Sequence, residues 1–101
     1  MSKHSLIAKL TCTDGRADEF EAALAGLIEA SNEEAGLEIY SAHRDAENVY
    51  WFFELYTDDA AVAAHGKGDA MGKAMAATGA FLAGAPEIHR LTPVVAKGLD
   101  I

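Results

Sequence analysis

Apolar residues recur with two different periods along the chain, and the change of period separates strands from helices. The mixed apolar run Leu6–Cys12, the alternating run Leu37–Arg44 and the aromatic run Val49–Tyr56 predict three strands. A last strand is predicted from about Glu87 to Val95, where Pro93 favours an edge position or a bend. A turn-forming stretch separates the second strand from the third, so these two strands should form a hairpin.

Helical periodicity fills the intervals between these strands. Acidic residues open a first helix near Asp18, where negative charge suits the helix dipole, and this helix should end near Gly36. A short helical segment, Ala60–His65, follows the third strand, and after two glycines a further helix restarts at Asp69. The first helix places on one face Phe20, Leu24, Leu27, Ile28 and Ser31.

The predicted order βαββαβ indicates a ferredoxin-like α+β fold, an antiparallel sheet with its helices on one face. The chain of 101 residues is long enough for a single domain, residues 1–101, with its core over about residues 5–97. The third strand carries Trp51 and Phe53 on one side but Tyr50 and Phe52 on the other. Since helices cover only one face, we expect a homodimer joined through the opposite sheet faces.

Charge and cysteine content narrow the classes of partner. Sixteen acidic against eight basic residues give a formal net charge of −8, without the basic stripe that nucleic acid or an anionic membrane requires. We expect a cytoplasmic protein, because no apolar run resembles a signal peptide or a membrane span. Cys12 is the single cysteine and fits a small buried thiol in a reducing compartment. The histidines lack metal-ligand spacing, so no metal site is expected.

Three segments then resemble one known family. They are Thr13–Phe20 (TDGRADEF), Ser31–Tyr40 (SNEEAGLEIY) and the stretch from Phe53 to His65 that begins FELYTDDAA. Together they are similar to the antibiotic biosynthesis monooxygenase family, of the dimeric α/β-barrel superfamily. The spacing from Glu54 to Ala61 to His65 is the most specific part of the likeness. The resemblance implies a dimeric ferredoxin-like fold that hosts several chemistries.

Departures from family patterns select among those chemistries. Haem-degrading members resemble one another in an Asn, a Trp and a His, at places that read Ala8, His65 and Met75 here. Polyketide-tailoring oxygenases place Asn and Trp where Phe52 and Tyr56 stand. The resemblance therefore points to the branch similar to quinol monooxygenases, which uses no metal, flavin or other cofactor.

His65 and Glu54 are the candidate catalytic residues. An imidazole can act as a base near neutral pH, and a buried Glu54 needs a partner such as the imidazole of His65. The structural alternatives are a helix-end histidine that bonds a terminal carbonyl, and a carboxylate that forms an ion pair or a helix cap.

The expected function is monooxygenation of a small aromatic quinol or polyphenol in a cavity between sheet and helices. The alternatives are an isomerase or small-molecule-binding dimer that uses no oxygen, and a structural dimer whose pocket is closed by side chains. Aromatic side chains on strands also serve as core or interface, and a polar helix end also serves as a cap. The candidate substrate-binding residues are Asn32, Tyr40, Trp51, Phe52, Tyr56 and Met75.

Overall fold

Seven elements make up the computed structural model, which describes residues 2–101. The strands and helices alternate in the predicted order, and the second helical region is divided in two as the glycines indicated. The elements are β1 (His4–Thr11), α1 (Ala17–Ser31), β2 (Leu37–Arg44), β3 (Val49–Tyr56), α2 (Asp59–Ala64), α3 (Asp69–Gly79) and β4 (Glu87–Leu91).

The four strands form one antiparallel sheet in the order β2-β3-β1-β4. The predicted ferredoxin-like α+β fold and the β2–β3 hairpin are thereby confirmed. Ala8 of β1 lies opposite Phe52 of β3, and Ala42 of β2 lies opposite the same phenylalanine. Because strand side chains alternate, this register puts all three on one face of the sheet.

That face packs against α1 and α3 and forms the core. Its strand residues come from alternate positions of β1 and β3, and its helix residues recur at intervals of three and four. Burying each large side chain contributes about 1.5–3 kcal/mol to folding. The buried cluster contains Ala8, Leu10, Cys12, Phe20, Leu24, Leu27, Ala30, Tyr50, Phe52 and Met71.

Two predicted ends were wrong. β4 ends at Leu91 rather than Val95, since Pro93 has no N–H to extend the ladder. The first helix ends at Ser31 rather than near Gly36, and the Ser31 hydroxyl donates to the carbonyl of residue 28 at 2.6 Å.

The predicted buried face of α1 was also partly wrong. Ile28 is 37% exposed, and Ala30 is buried in its place.

The face without helices is less open than the strand pattern suggested. Trp51 and Phe53 are half-buried and Leu55 is buried within a single chain. The ammonium of Lys9 lies over the Trp51 ring, 5.7 Å from its centre. The large apolar side chains that are exposed lie mostly in β4 and the C-terminal segment: Ile28, Ile88, Leu91, Val94, Val95 and Ile101.

Gly36 brings the start of β2 into close contact with α2. A Cβ at this glycine would overlap the Cβ of Ala61 and lie 3.5 Å from its Cα. The carbonyl of Gly36 also accepts a hydrogen bond from the N–H of Thr57 at 2.8 Å. The backbone before β2 and the helix after β3 are thus held side by side.

Gly36→Ala should therefore destabilise the protein by about 1–3 kcal/mol, because the added methyl forces two backbone segments apart. The matched control is Gly26→Ala in α1, where a Cβ meets nothing within 4 Å. That change should stabilise by about 0.5–1 kcal/mol through the higher helix propensity of alanine. Urea unfolding of both variants measures the difference. Equal effects of the two changes would contradict the close contact.

Candidate active site

A cavity of about 300 Å³ lies between the sheet and the helices. Its walls are almost entirely apolar and come from β1, β3, α1, α3 and the start of β4. A cavity of this volume falls at the lower end of the range for small-molecule sites. The apolar lining includes Leu6, Ala8, Leu10, Leu27, Phe52, Met75, Leu82, Pro86 and Ile88.

One end of this cavity is polar. It is formed by Tyr40 of β2, Glu54 of β3 and His65, the residue that follows α2. The sheet register sets Tyr40 directly opposite Glu54. Asp58 caps α2 by accepting a hydrogen bond from the N–H of Ala61 at 2.9 Å, which fixes where the helix begins and therefore where His65 falls. Three different elements thus converge on one polar cluster.

Glu54 is a carboxyl group in an otherwise apolar layer. It is 5% exposed, and the hydroxyl of the fully buried Tyr56 donates a hydrogen bond to its Oε1. Burial raises the pKa of Glu54, although the Tyr56 hydrogen bond and the nearby His65 act in the opposite direction. A carboxyl poised in this way can accept or release a proton.

His65 is held by a carboxylate on its outer side. Its Nδ1 lies 2.7 Å from Oε1 of Glu34, and its Nε2 lies 3.8 Å from Oε1 of Glu54. The second distance is too long for a hydrogen bond. The rings of Tyr40 and Tyr56 meet the imidazole edge to face, with centres 5.5 Å and 5.6 Å away. The imidazole thus lies beside the predicted Glu54 without a hydrogen bond to it, and it bonds the carboxylate of Glu34 rather than a helix carbonyl.

Glu34 is the residue that the sequence analysis missed. Its Oε1 is the partner of His65, and its Oε2 accepts a hydrogen bond from the N–H of Gly66 at 3.0 Å. The residue lies in the turn between α1 and β2, inside a segment already noted for its family resemblance. An acidic residue in such a turn is typical of a solvated surface, so its sequence position gave no reason to pair it with a histidine 31 residues later.

The candidate substrate-binding residues separate into two groups. Tyr40, Phe52 and Met75 line the cavity. Tyr56 supports Glu54 from within the core and is not part of the lining.

Trp51 and Asn32 lie outside the cavity. Trp51 points to the helix-free face, where its Nε1 donates to Oδ2 of Asp45 at 3.0 Å. Alternation along β3 makes it impossible for Trp51 and Phe52 to share one face. Asn32 is exposed at the end of α1 and belongs to a separate shallow surface depression. Neither residue contributes to this cavity in the structure.

Among residues 2–101, no three His, Cys, Asp or Glu side chains are grouped so that they could hold a metal ion. None of the helices described is both long and apolar enough to cross a membrane.

The raised pKa of Glu54 predicts a specific pH dependence of stability. The folded protein prefers the protonated carboxyl, so the stabilisation is complete below the unfolded-state pKa near 4.5 and is lost as the pH rises through the folded-state pKa. Glu54→Gln removes this titration and should flatten that part of the curve. Urea unfolding between pH 4 and pH 8 measures it, with the exposed Glu29→Gln as control. A wild-type curve parallel to that of Glu54→Gln would refute the assignment.

Comparison with known proteins places the chain in a family. Residues 4–77 match the family model described as antibiotic biosynthesis monooxygenase. A solved structure from Caulobacter crescentus, provisionally assigned as an antibiotic biosynthesis monooxygenase, is 33% identical to this chain. Its TM-score is 0.85 over 93% of this chain and 92% of that one. No match was found among curated proteins.

Two further solved structures agree with this placement. A protein from Pseudomonas aeruginosa is 27% identical, with a TM-score of 0.82 over 94% of this chain and 97% of the other. A protein from Chloroflexus aurantiacus, provisionally assigned as an antibiotic biosynthesis monooxygenase, is 25% identical, with a TM-score of 0.82 over 98% of this chain and 100% of the other. Because the family model covers well over half of its length, the chain belongs to the antibiotic biosynthesis monooxygenase family.

Proposed function

We propose that this chain is a cofactor-independent monooxygenase that acts on a small aromatic quinol or polyphenol, as in the quinol-monooxygenase-like branch of the family. The observation that carries the proposal is the polar cluster of Tyr40, Glu54 and His65 at one end of an apolar cavity. The apolar walls suit a flat aromatic ring, and the polar end suits its hydroxyl group.

The arrangement supports removal of a proton from that hydroxyl. An ionised carboxylate can only accept a hydrogen bond, so the 2.7 Å contact with Glu34 assigns a hydrogen to Nδ1 of His65. In the neutral imidazole, Nε2 is then an acceptor on the side of Glu54 and the cavity. A substrate hydroxyl that donates to Nε2 can pass its proton to the imidazole. Glu54, with its raised pKa, is a second group able to hold a proton nearby.

Deprotonation makes the ring electron-rich enough to react with dioxygen. In a quinol, the anion gives an electron to dioxygen, and the two radicals combine to form a C–O bond. The resulting peroxide anion takes the proton back from the imidazolium of His65. The hydroperoxide then loses water and leaves a hydroxyquinone, so that one quinol and one dioxygen give one hydroxyquinone and one water. The apolar walls favour this course because they keep solvent away from the anion and the radicals.

Oxygen uptake tests this proposal. Purified protein incubated with a panel of reduced quinols should consume dioxygen, and His65→Ala should lower the rate by about 10²–10⁴-fold through loss of the base. Lys67→Ala is the control, since Lys67 is exposed two residues after His65 and lies outside the cavity. Absence of uptake across the panel, or equal rates in the two variants, would refute the function.

An isomerase is the second candidate, favoured by the 3.8 Å separation of two proton-carrying groups, His65 Nε2 and Glu54 Oε1. An isomerisation moves a proton between two positions of one substrate and needs no dioxygen. Turnover that continues under argon would favour this reaction over oxygenation, and a bound metabolite unchanged by air would favour a binding role.

The proposal includes a homodimer formed through the helix-free face of the sheet. Trp51 and Phe53 on that face are half-buried, and Val94 and Val95 in the segment that follows β4 are 82% and 88% exposed. A second copy would remove these apolar groups from water and close the interface by two-fold symmetry.

Analytical ultracentrifugation should give twice the 10.7 kDa mass of the chain. Phe53→Glu should produce monomers, because it places a charge within the proposed interface. Ile28→Glu, on the exposed side of α1, should leave the mass unchanged. A wild-type protein that sediments as a folded monomer at micromolar concentration would contradict the dimer.

A further inference from the structure

The groups around His65 bear on the charge of the ligand as well as on its aromatic ring. Glu34 approaches the imidazole from outside the cavity and Glu54 approaches it from the sheet. Tyr40 and Tyr56 are the other titratable groups against it, and neither is a cation. His65 is therefore enclosed by two carboxyl groups and two phenols.

Glu34 is placed where it can set the tautomer and the orientation of the His65 imidazole. Its two oxygens take hydrogen bonds from two consecutive residues, the Nδ1–H of His65 and the backbone N–H of Gly66. Gly66 has φ of +83° and a position for Cβ only 3.0 Å from Sδ of Met75, so the backbone there suits glycine alone. The turn that carries His65 thus requires glycine at position 66, and Glu34 contacts both residues of the turn.

The cavity lining holds no lysine or arginine that could bind a negatively charged ligand. Glu54 and His65 are the ionisable groups of the lining apart from the phenol of Tyr40, and the remaining lining is apolar or uncharged. Arg90 lies on the same face of β4 as the cavity-lining Ile88, but its guanidinium is paired with Asp59 at 3.1 Å and is not part of the lining. A carboxylate or phosphate placed among the apolar walls would lose its hydration without a fixed counter-charge, and the carboxylate of Glu34 stands behind His65.

We infer that Glu34 is a positioning residue which makes Nε2 of His65 a hydrogen-bond acceptor, and that Glu34, together with a lining that holds no Lys or Arg, restricts the site to hydroxyl-bearing aromatic ligands that are uncharged when they bind. Molecules with the same ring and hydroxyl but an added carboxylate or phosphate are rejected. This inference rests on the proposed function for the identity of the pocket as a substrate site, but it concerns binding rather than oxygenation.

Calorimetric titration under argon tests the charge selection with three probes. They are 2-naphthol, 6-hydroxy-2-naphthoate and the methyl ester of the latter, which is one methyl group larger and carries no charge. The naphthol and the ester should bind at least about tenfold more tightly than the carboxylate at neutral pH. Glu34→Gln should narrow that ratio, whereas Glu29→Gln should leave it unchanged. Binding of the carboxylate as tightly as its ester, or failure of the uncharged probes to bind, would overturn the inference.

A separate NMR measurement tests the positioning role of Glu34. Long-range ¹⁵N–¹H NMR of the histidine side chains should show the Nδ1–H form of His65 in the wild type. In Glu34→Ala the populations should shift toward the Nε2–H form, and the signals of His43 should stay in place. An unchanged His65 tautomer would overturn this role. Because neither experiment contains dioxygen or a turnover step, both can succeed even if no quinol is oxidised, which separates this inference from the oxygenase proposal.

Discussion

A carboxyl group buried in the apolar layer between sheet and helices is the constraint on which the site depends. Glu54 needs a hydrogen-bond donor, and Tyr56, two residues along the same face of β3, supplies one from within the core. His65 stands on its other side, and Glu34 in turn stands behind His65. These polar groups thus form a line from Tyr56 in the core to Glu34 in the turn after α1, and Glu54 and His65 within it form the polar end of the cavity.

The fold and the neighbours of Glu54 were predictable because their signals are local. Strand alternation is enough to place Glu54 on the same side as Tyr50, Phe52 and Tyr56, and the structure has them there. Turn and helix-cap residues set the order of the elements for the same reason. The position of β4's end was missed because the chain beyond Leu91 remains apolar in sequence although Pro93 cannot extend the ladder.

The rest of the site depends on contacts between distant segments, which no periodic pattern reveals. Glu34 and His65 meet because a glycine at position 36 lets the start of β2 touch α2. Trp51, in contrast, was a candidate substrate-binding residue and lies outside the cavity. Both sides of β3 are aromatic, so composition alone could not tell which side faces a cavity, but alternation required a choice between Trp51 and Phe52. Family membership supports the fold, and the charges around the cavity are the basis of the proposed ligand class.

A crystal structure with 2-naphthol bound under argon tests the central claim most directly. The naphthyl ring should lie against Phe52 and Met75, and its oxygen should lie within about 3.2 Å of Nε2 of His65. Electron density for the ligand on the helix-free face, or in the cavity with its hydroxyl turned away from His65 and Glu54, would contradict the account.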